Sequence, residues 1–253
     1  MAKEKNSVKI LEKGNLYFFY RPKIEKPSPK KSKDISRLYM ILSPFRKRSF
    51  RLLIVGQKEL PRIKGDRRNW AFVYKVSNHV KEIEGELHEE KYKTKTRGER
   101  KTPVSRPAGE GIYAIVFHKN HTHFIYNLEL PNRIGEVQKE FNIKQQGNFI
   151  TTIKNPEKPS PMRAGLAHKQ KAKFTKDLQN KFQGKQFYNL NPDFLDYQDA
   201  ELIFIETGKK IYEDLGVKLN PKEETESSAE IFNELKLERD KHPLKPLFKG
   251  KWE

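Results

Sequence analysis

Apolar runs of strand length recur along this chain, and breaks rich in lysine, proline or glycine separate them. "NLYFFYRPKI" (15–24), "RLYMILSP" (37–44), "FRLLIVG" (50–56) and "NWAFVYKVS" (69–77) fall in the first third. "GIYAIVF" (111–117), "THFIYNLEL" (122–130), "NFITTIKNP" (148–156) and "DAELIFIE" (199–206) follow. Runs this short, bounded by turn residues and rich in aromatic and β-branched side chains, read as strands. Short breaks such as "FRKRS" between two runs predict hairpins, hence antiparallel pairing.

Helical signals are few. "NHVKEIEGELHEE" (78–90) places Val80, Ile83 and Leu87 at helical spacing, but Gly85 in its middle costs about 1 kcal/mol against alanine. "IGEVQKEFNI" (134–143) and "GKKIYEDLG" (208–216) predict short helices, the latter with Gly216 as a left-handed C-cap. Ser227 with Glu230 three residues on forms a capping-box pattern for "AEIFNELKLERDKH", whose apolar side is Ile231, Phe232, Leu235 and Leu237. These helices are too few and too short for a doubly wound parallel sheet. The expected class is α+β: rich in antiparallel sheet, with a few short helices and long polar loops.

The long loops fall at 91–111 and 157–173. They divide the chain into a β-rich basic region over 1–156, a linker over 157–173 and a smaller α/β region over 174–253, which is also compatible with packing as one domain with the first. Hydrophobic residues make up 35% of the chain, against about 45–50% in ordinary globular proteins. Yet 16 Phe, 10 Tyr and 2 Trp are too many for a disordered chain, so a core must form.

Cysteine is absent. That excludes disulfides, thiolate metal sites and cysteine nucleophiles together. No signal peptide follows the charged start "MAKEKNSVKI", and no stretch reaches the roughly 20 apolar residues of a membrane span, so a cytoplasmic protein is expected. Phosphate-loop, dinucleotide, nucleophile-elbow and H-E-x-x-H signatures are missing. Pro192-Asp193 resembles the start of a nuclease carboxylate pair, but no Glu-x-Lys follows at Glu201 or Glu206, and "NPDFLDYQD" reads as a turn-rich loop.

Charge supplies the leading functional reading. The net charge is +19, and residues 1–108 hold 29 Lys+Arg against 12 Asp+Glu, or +17. Such asymmetry suits a polyanion, with nucleic acid the first expectation and lysine-rich solvation the plainer explanation. "FRKRSFR" (45–51) and "TKTRGERKTPVSR" (94–106) mix cations with aromatics and hydroxyls. Arginine forks suit phosphate and aromatic faces stack bases, so Arg46, Lys47, Arg48, Arg97, Arg100 and Arg106 are the expected contacts. That reading is non-enzymatic and needs no cofactor.

A second reading comes from "HKNHTHF" (118–124). With Lys119-Asn120 as the turn, Phe117 faces Thr122 and His118 faces His121. Side chains alternate along strands, so His118, His121 and His123 share one face. Three imidazoles there could hold Zn²⁺ or Fe²⁺ with a position left open, as in a hydrolase or oxygenase. The nearest carboxylates in sequence are Glu110 and Glu129, both distant from the turn. A polar hairpin tip explains the same residues more simply.

The stretches "RPAGEGIYAI", "HTHFIYNLELP", "GEVQKEFNI", "NPEKPSP" and "DFLDYQDAEL" resemble segments of a family of uncharacterised bacterial proteins, over most of the chain. The resemblance implies a complete bacterial cytosolic protein. It carries no activity, cofactor or site residue.

Overall fold

The computed structural model describes residues 8–63, 68–94, 98–160, 166, 170–207, 213 and 215–253. Four strands follow one another as antiparallel hairpins: β1 (Lys9–Pro22), β2 (Ile35–Pro44), β3 (Phe50–Val55) and β4 (Asn69–Ser77). A short helix, α1 (Val80–Gly85), and a small separate hairpin, β5 (Glu90–Thr94) and β6 (Gly98–Thr102), come next. Then β7 (Arg106–His118), β8 (His121–Leu130), α2 (Glu136–Glu140) and β9 (Gln146–Lys154) continue the main sheet. The remainder comprises α3 (Lys176–Asn180), β10 (Phe187–Asn189), β11 (Glu201–Glu206), α4 (Glu230–Glu234) and α5 (Lys245–Lys249).

The sheet closes on itself. Around the circle the order is β1-β2-β3-β4-β11-β9-β8-β7, and β7 returns to β1. All neighbours are antiparallel, and β10 lies beside the last residues of β9, beyond where β8 pairs. This overturns the α+β expectation: the protein is an eight-stranded antiparallel β-barrel, mainly β, and its described helices are one to two turns long. The physical reason is β11. It pairs with β4 at Leu202↔Ala71 and with β9 at Leu202↔Ile153, leaving the edges of the two meanders no longer free. Residues 174–253 thus supply β10 and β11 to the same sheet as the N-terminal strands.

Alternation along β1 explains the aromatics on both its faces. Leu16, Phe18 and Tyr20 point into the barrel with Met40, Leu53, Tyr126 and Phe149. Tyr17 and Phe19 point out, with Tyr39, Ile41 and Leu52, and are covered by Ile83 of α1, by Leu87 just after it and by Ile231, Leu235 and Leu247. A barrel of eight strands has an interior just wide enough for side chains to fill. Here aromatic rings occupy it: Phe18 meets Tyr126 edge-on at 5.5 Å and Tyr113 stacks on Phe124 at 5.4 Å. One end is stoppered by Phe141 and Trp252, whose rings lie 5.6 Å apart and each 5.4 Å from Tyr20. The other is closed by Phe174, Phe182 and Phe194, 4.9 to 6.0 Å apart. Any binding chemistry therefore has to lie on the outer wall or at the ends.

Two local readings change. The loop expected over 91–111 contains β5, β6 and the start of β7; its hairpin is charged along its length, so it has no apolar period to read. The helix expected over 229–242 stops at Glu234, and Lys236 takes φ +56°. Its capping box does not form, because Ala229 is the N-cap and Ser227 bonds Thr225 instead. The helix expected over 208–216 lies mostly outside the described residues, though Gly216 is left-handed at φ +61°. Among the described residues no helix is long and apolar enough to cross a membrane.

Candidate functional sites on the barrel wall and ends

Five of the six expected phosphate contacts fall among the described residues, and they divide between the two ends of the barrel. Arg46, Lys47 and Arg48 are exposed on the β2–β3 turn, beside Phe45, which is 60% exposed. Lys47 also pairs with Asp196, which the 3-10 turn over Pro192–Asp196 presents at that end. The β7–β8 turn, carrying exposed Lys119, lies at the same end, where Asn189 Nδ2 donates to the Asn120 carbonyl at 2.9 Å. Arg100 and Arg106 sit at the opposite end: Arg106 is aligned with Tyr20, six residues along β1 from Gly14 beside the turn, which is roughly 20 Å. Arg100 pairs with Glu25 at 3.2 Å. Arg106 is buried and donates from Nη2 to the Pro27 carbonyl at 2.6 Å. Arg97 lies outside the described residues.

Under the turn, Arg51 is 1% exposed and anchors the end wall. Its Nη1 meets Glu12 Oε1 at 2.6 Å and its Nη2 meets Asp196 Oδ1 at 2.9 Å. Tyr113 completes the network, donating to Glu12 at 2.8 Å.

The β7–β8 hairpin turns at Lys119-Asn120, with Phe117 opposite Thr122 and His118 opposite His121. The face shared by the three histidines is the outer one, continuing Ala114, Val116 and Ile125. His118 and His123 are buried with ring centroids 6.3 Å apart, and His121 is exposed. His123 Nδ1 lies 3.0 Å from Asn148 Oδ1, and burial holds its pKa below the usual value. Glu110 and Glu129 stand at the far end of the strand pair and are engaged there. Glu110 accepts the Glu230 and Ile231 N–H groups, and Glu129 accepts the Lys222 N–H at 2.6 Å. Burial pushes Glu110 up to about 8 and Glu129 up to about 6, with Glu224 adding to both.

A different histidine group converges more closely. Glu84, on the last turn of α1, and His88, four residues on, meet His242 from the segment between α4 and α5. One ligating atom from each lies within 4.8 Å of the others. Among the described residues this is the group of three that approaches so closely. His242 is 3% exposed, and its Nδ1 lies 2.7 Å from the Ser105 carbonyl, so Nδ1 carries the proton and Nε2 keeps its lone pair. That Nε2 is buried without a hydrogen-bond partner, and so is His88 Nε2, although the Glu84 carboxylate rests against it. The rings are 5.8 Å apart, and burial holds the His242 pKa below its usual value. Ser105 is fixed in turn, since its N–H donates to the Leu87 carbonyl at 2.8 Å.

Beside this group opens a cavity of about 700 Å³ lined by Arg21, Arg37, Tyr39, Tyr74, Glu86 and His88, among others. Arg37 lies over the Tyr74 ring at 5.2 Å. Arg21 is committed to structure, donating to the carbonyls of Glu86, His88 and Pro103.

The i,i+4 spacing of Glu84 and His88 was visible in the sequence; the third member was not, because nothing local connects position 242 to α1. Comparison of the chain with family models, with curated proteins and with solved structures finds no match, so its function has to be argued from its own residues.

Proposed function

We propose that the protein binds single-stranded nucleic acid at the barrel end that carries the β2–β3 turn. The observation behind this reading is the sequence Phe45-Arg46-Lys47-Arg48 held on a tight turn, all four side chains exposed. A large aromatic left in water beside three cations is costly unless something stacks on it. Unpaired bases offer such a face, and their phosphates suit the adjacent guanidinium groups. Lys119 adds charge on the neighbouring turn. The +17 carried by residues 1–108 would speed encounter with any polyanion. The reading is of a binding protein, non-enzymatic, and it draws on three of the six expected contacts. Arg100 and Arg106 do not serve this surface.

Fluorescence anisotropy with single- and double-stranded RNA and DNA, across salt, tests it. Each phosphate neutralised on a single strand contributes about 0.7 to the slope of log affinity against log salt. Replacing Arg46, Lys47 and Arg48 together by alanine should reduce that slope by at least about 1.4, the share of Arg46 and Arg48, since Lys47 already faces Asp196. Phe45→Ala should weaken single-strand binding by roughly 5- to 150-fold and duplex binding little, the range expected for one stacked base. No binding at low salt would end the proposal.

A further inference from the structure

We propose that Glu84, His88 and His242 form a binding site for a divalent transition-metal ion of the zinc class, and that the ion clamps the C-terminal segment onto the barrel wall. The proposal is independent of the nucleic-acid reading and uses none of its residues.

Three features carry it. The first is ligand chemistry. Two imidazole nitrogens and one carboxylate oxygen suit Zn²⁺ and its neighbours, whereas Mg²⁺ and Ca²⁺ favour all-oxygen sites. The second is preparation of the ligand atom. A metal-binding histidine normally donates its other ring N–H to a carbonyl or carboxylate, which fixes the tautomer and the ring orientation. His242 does this to Ser105, and its Nε2 is left buried with no hydrogen-bond partner, while a ring nitrogen of His242 lies within 4.8 Å of the ligand atoms of Glu84 and His88. A buried acceptor left unmatched is unfavourable in a folded protein, so it marks a place where a bound group satisfies it.

The third feature is reach. Zinc bonds of about 2.0–2.2 Å in a tetrahedral site place ligand atoms roughly 3.3 Å apart. The three atoms here already lie within 4.8 Å of one another, with Glu84 and His88 in contact. Closing the remainder asks only for rotation of the His88 and Glu84 side chains, 32% and 13% exposed, while His242 stays fixed. Glu84 and His88 leave α1 and its following turn, where Ile83 and Leu87 pack on the barrel. His242 belongs to the strap that continues from α4 into α5 and covers the same apolar wall through Leu235, Leu237 and Leu247. One ion would thus join two segments distant in sequence that share one patch of the barrel, with a fourth position left for water.

An ordinary i,i+4 ion pair between Glu84 and His88 explains those two residues but leaves the His242 lone pair unexplained. Isothermal titration of tag-free, chelator-treated protein with ZnCl₂ decides between them. The expected result is one Zn²⁺ per chain, an unchanged response to MgCl₂ and CaCl₂, and a melting temperature about 5 °C higher at saturating zinc. His88→Ala, at a partly exposed position that leaves the barrel intact, should weaken zinc binding by roughly tenfold or more and abolish the thermal gain. His242→Ala should do the same; should that variant fail to fold, the His88 variant still decides. The double variant His118→Ala/His121→Ala, on the β7–β8 hairpin, should bind zinc unchanged. No stoichiometric binding, or binding lost in the hairpin variant and kept in His88→Ala, overturns the proposal.

Discussion

Glu110 caps a helix that lies across the barrel wall from it: its carboxylate takes the N–H of Glu230 at 2.7 Å and the neighbouring N–H of Ile231 at 3.2 Å. The first N–H groups of a helix lack partners within it, and the expected one from Ser227 does not form. A strand residue therefore does what a local cap usually does. It does so while buried near Glu129 and Glu224, which with desolvation raises its pKa to about 8.

The sign of the pH dependence follows. In the unfolded chain Glu110 titrates near its ordinary value of 4.5; folded, it holds its proton to about 8. Between these values the folded state binds more protons, so the contribution is full below 4.5 and is lost as pH rises through 8. Glu129, raised to about 6, adds the same sign over a narrower window. Urea unfolding at pH 5, 6, 7 and 8 should show stability falling with pH, by on the order of 1 kcal/mol per unit. Glu110→Gln should flatten that profile, because an amide does not titrate over this range. A slope unchanged in Glu110→Gln would assign the effect to another group.

Arg51 should be among the least replaceable residues. It is 1% exposed and joins Glu12 and Asp196, two carboxylates from different elements. Removing the cation leaves Glu12 with only the Tyr113 hydroxyl and Asp196 with only Lys47, both partly buried, so Arg51→Met should cost roughly 3–5 kcal/mol in denaturant unfolding. A loss below about 1 kcal/mol would mean that the carboxylates reach water without it.

Two glycines should respond oppositely to alanine. A Cβ on Gly111 would fall 2.2 Å from the Asn127 carbonyl oxygen and 2.8 Å from Leu128 Cα, backbone of the paired strand. Gly111→Ala should therefore destabilise by about 1–3 kcal/mol. A Cβ on Gly85 meets nothing within 4 Å. Gly85→Ala should stabilise by up to about 1 kcal/mol through the helix preference of α1, visible as a rise in melting temperature.

Arg106 separates stability from binding. It is 8% exposed, and its Nη2 holds the Pro27 carbonyl. Arg106→Ala should lower stability by about 1–3 kcal/mol while leaving nucleic-acid affinity, measured well below the melting temperature, where it was. The Arg46/Arg48 double variant should show the reverse. Equal loss of affinity in both would move the proposed interface to the other end.

Local pattern was enough for what depends on neighbours in the chain. Side chains alternate every two residues, so "GIYAIVF" and "THFIYNLEL" with Lys119-Asn120 between them already set His118 opposite His121 and put the three histidines on one face. The basic tip between β2 and β3 and the span of β4 were readable for the same reason. Barrel closure was not, because it rests on β11 choosing β4 and β9 as partners, and no periodicity records which distant edge a strand will fill. Nor did pattern reveal that Glu110 would cap α4, or that His242 would arrive beside Glu84 and His88. The alternation of a strand is written in consecutive residues, whereas those meetings follow from burying both faces of the barrel wall at once, which only the folded chain can do.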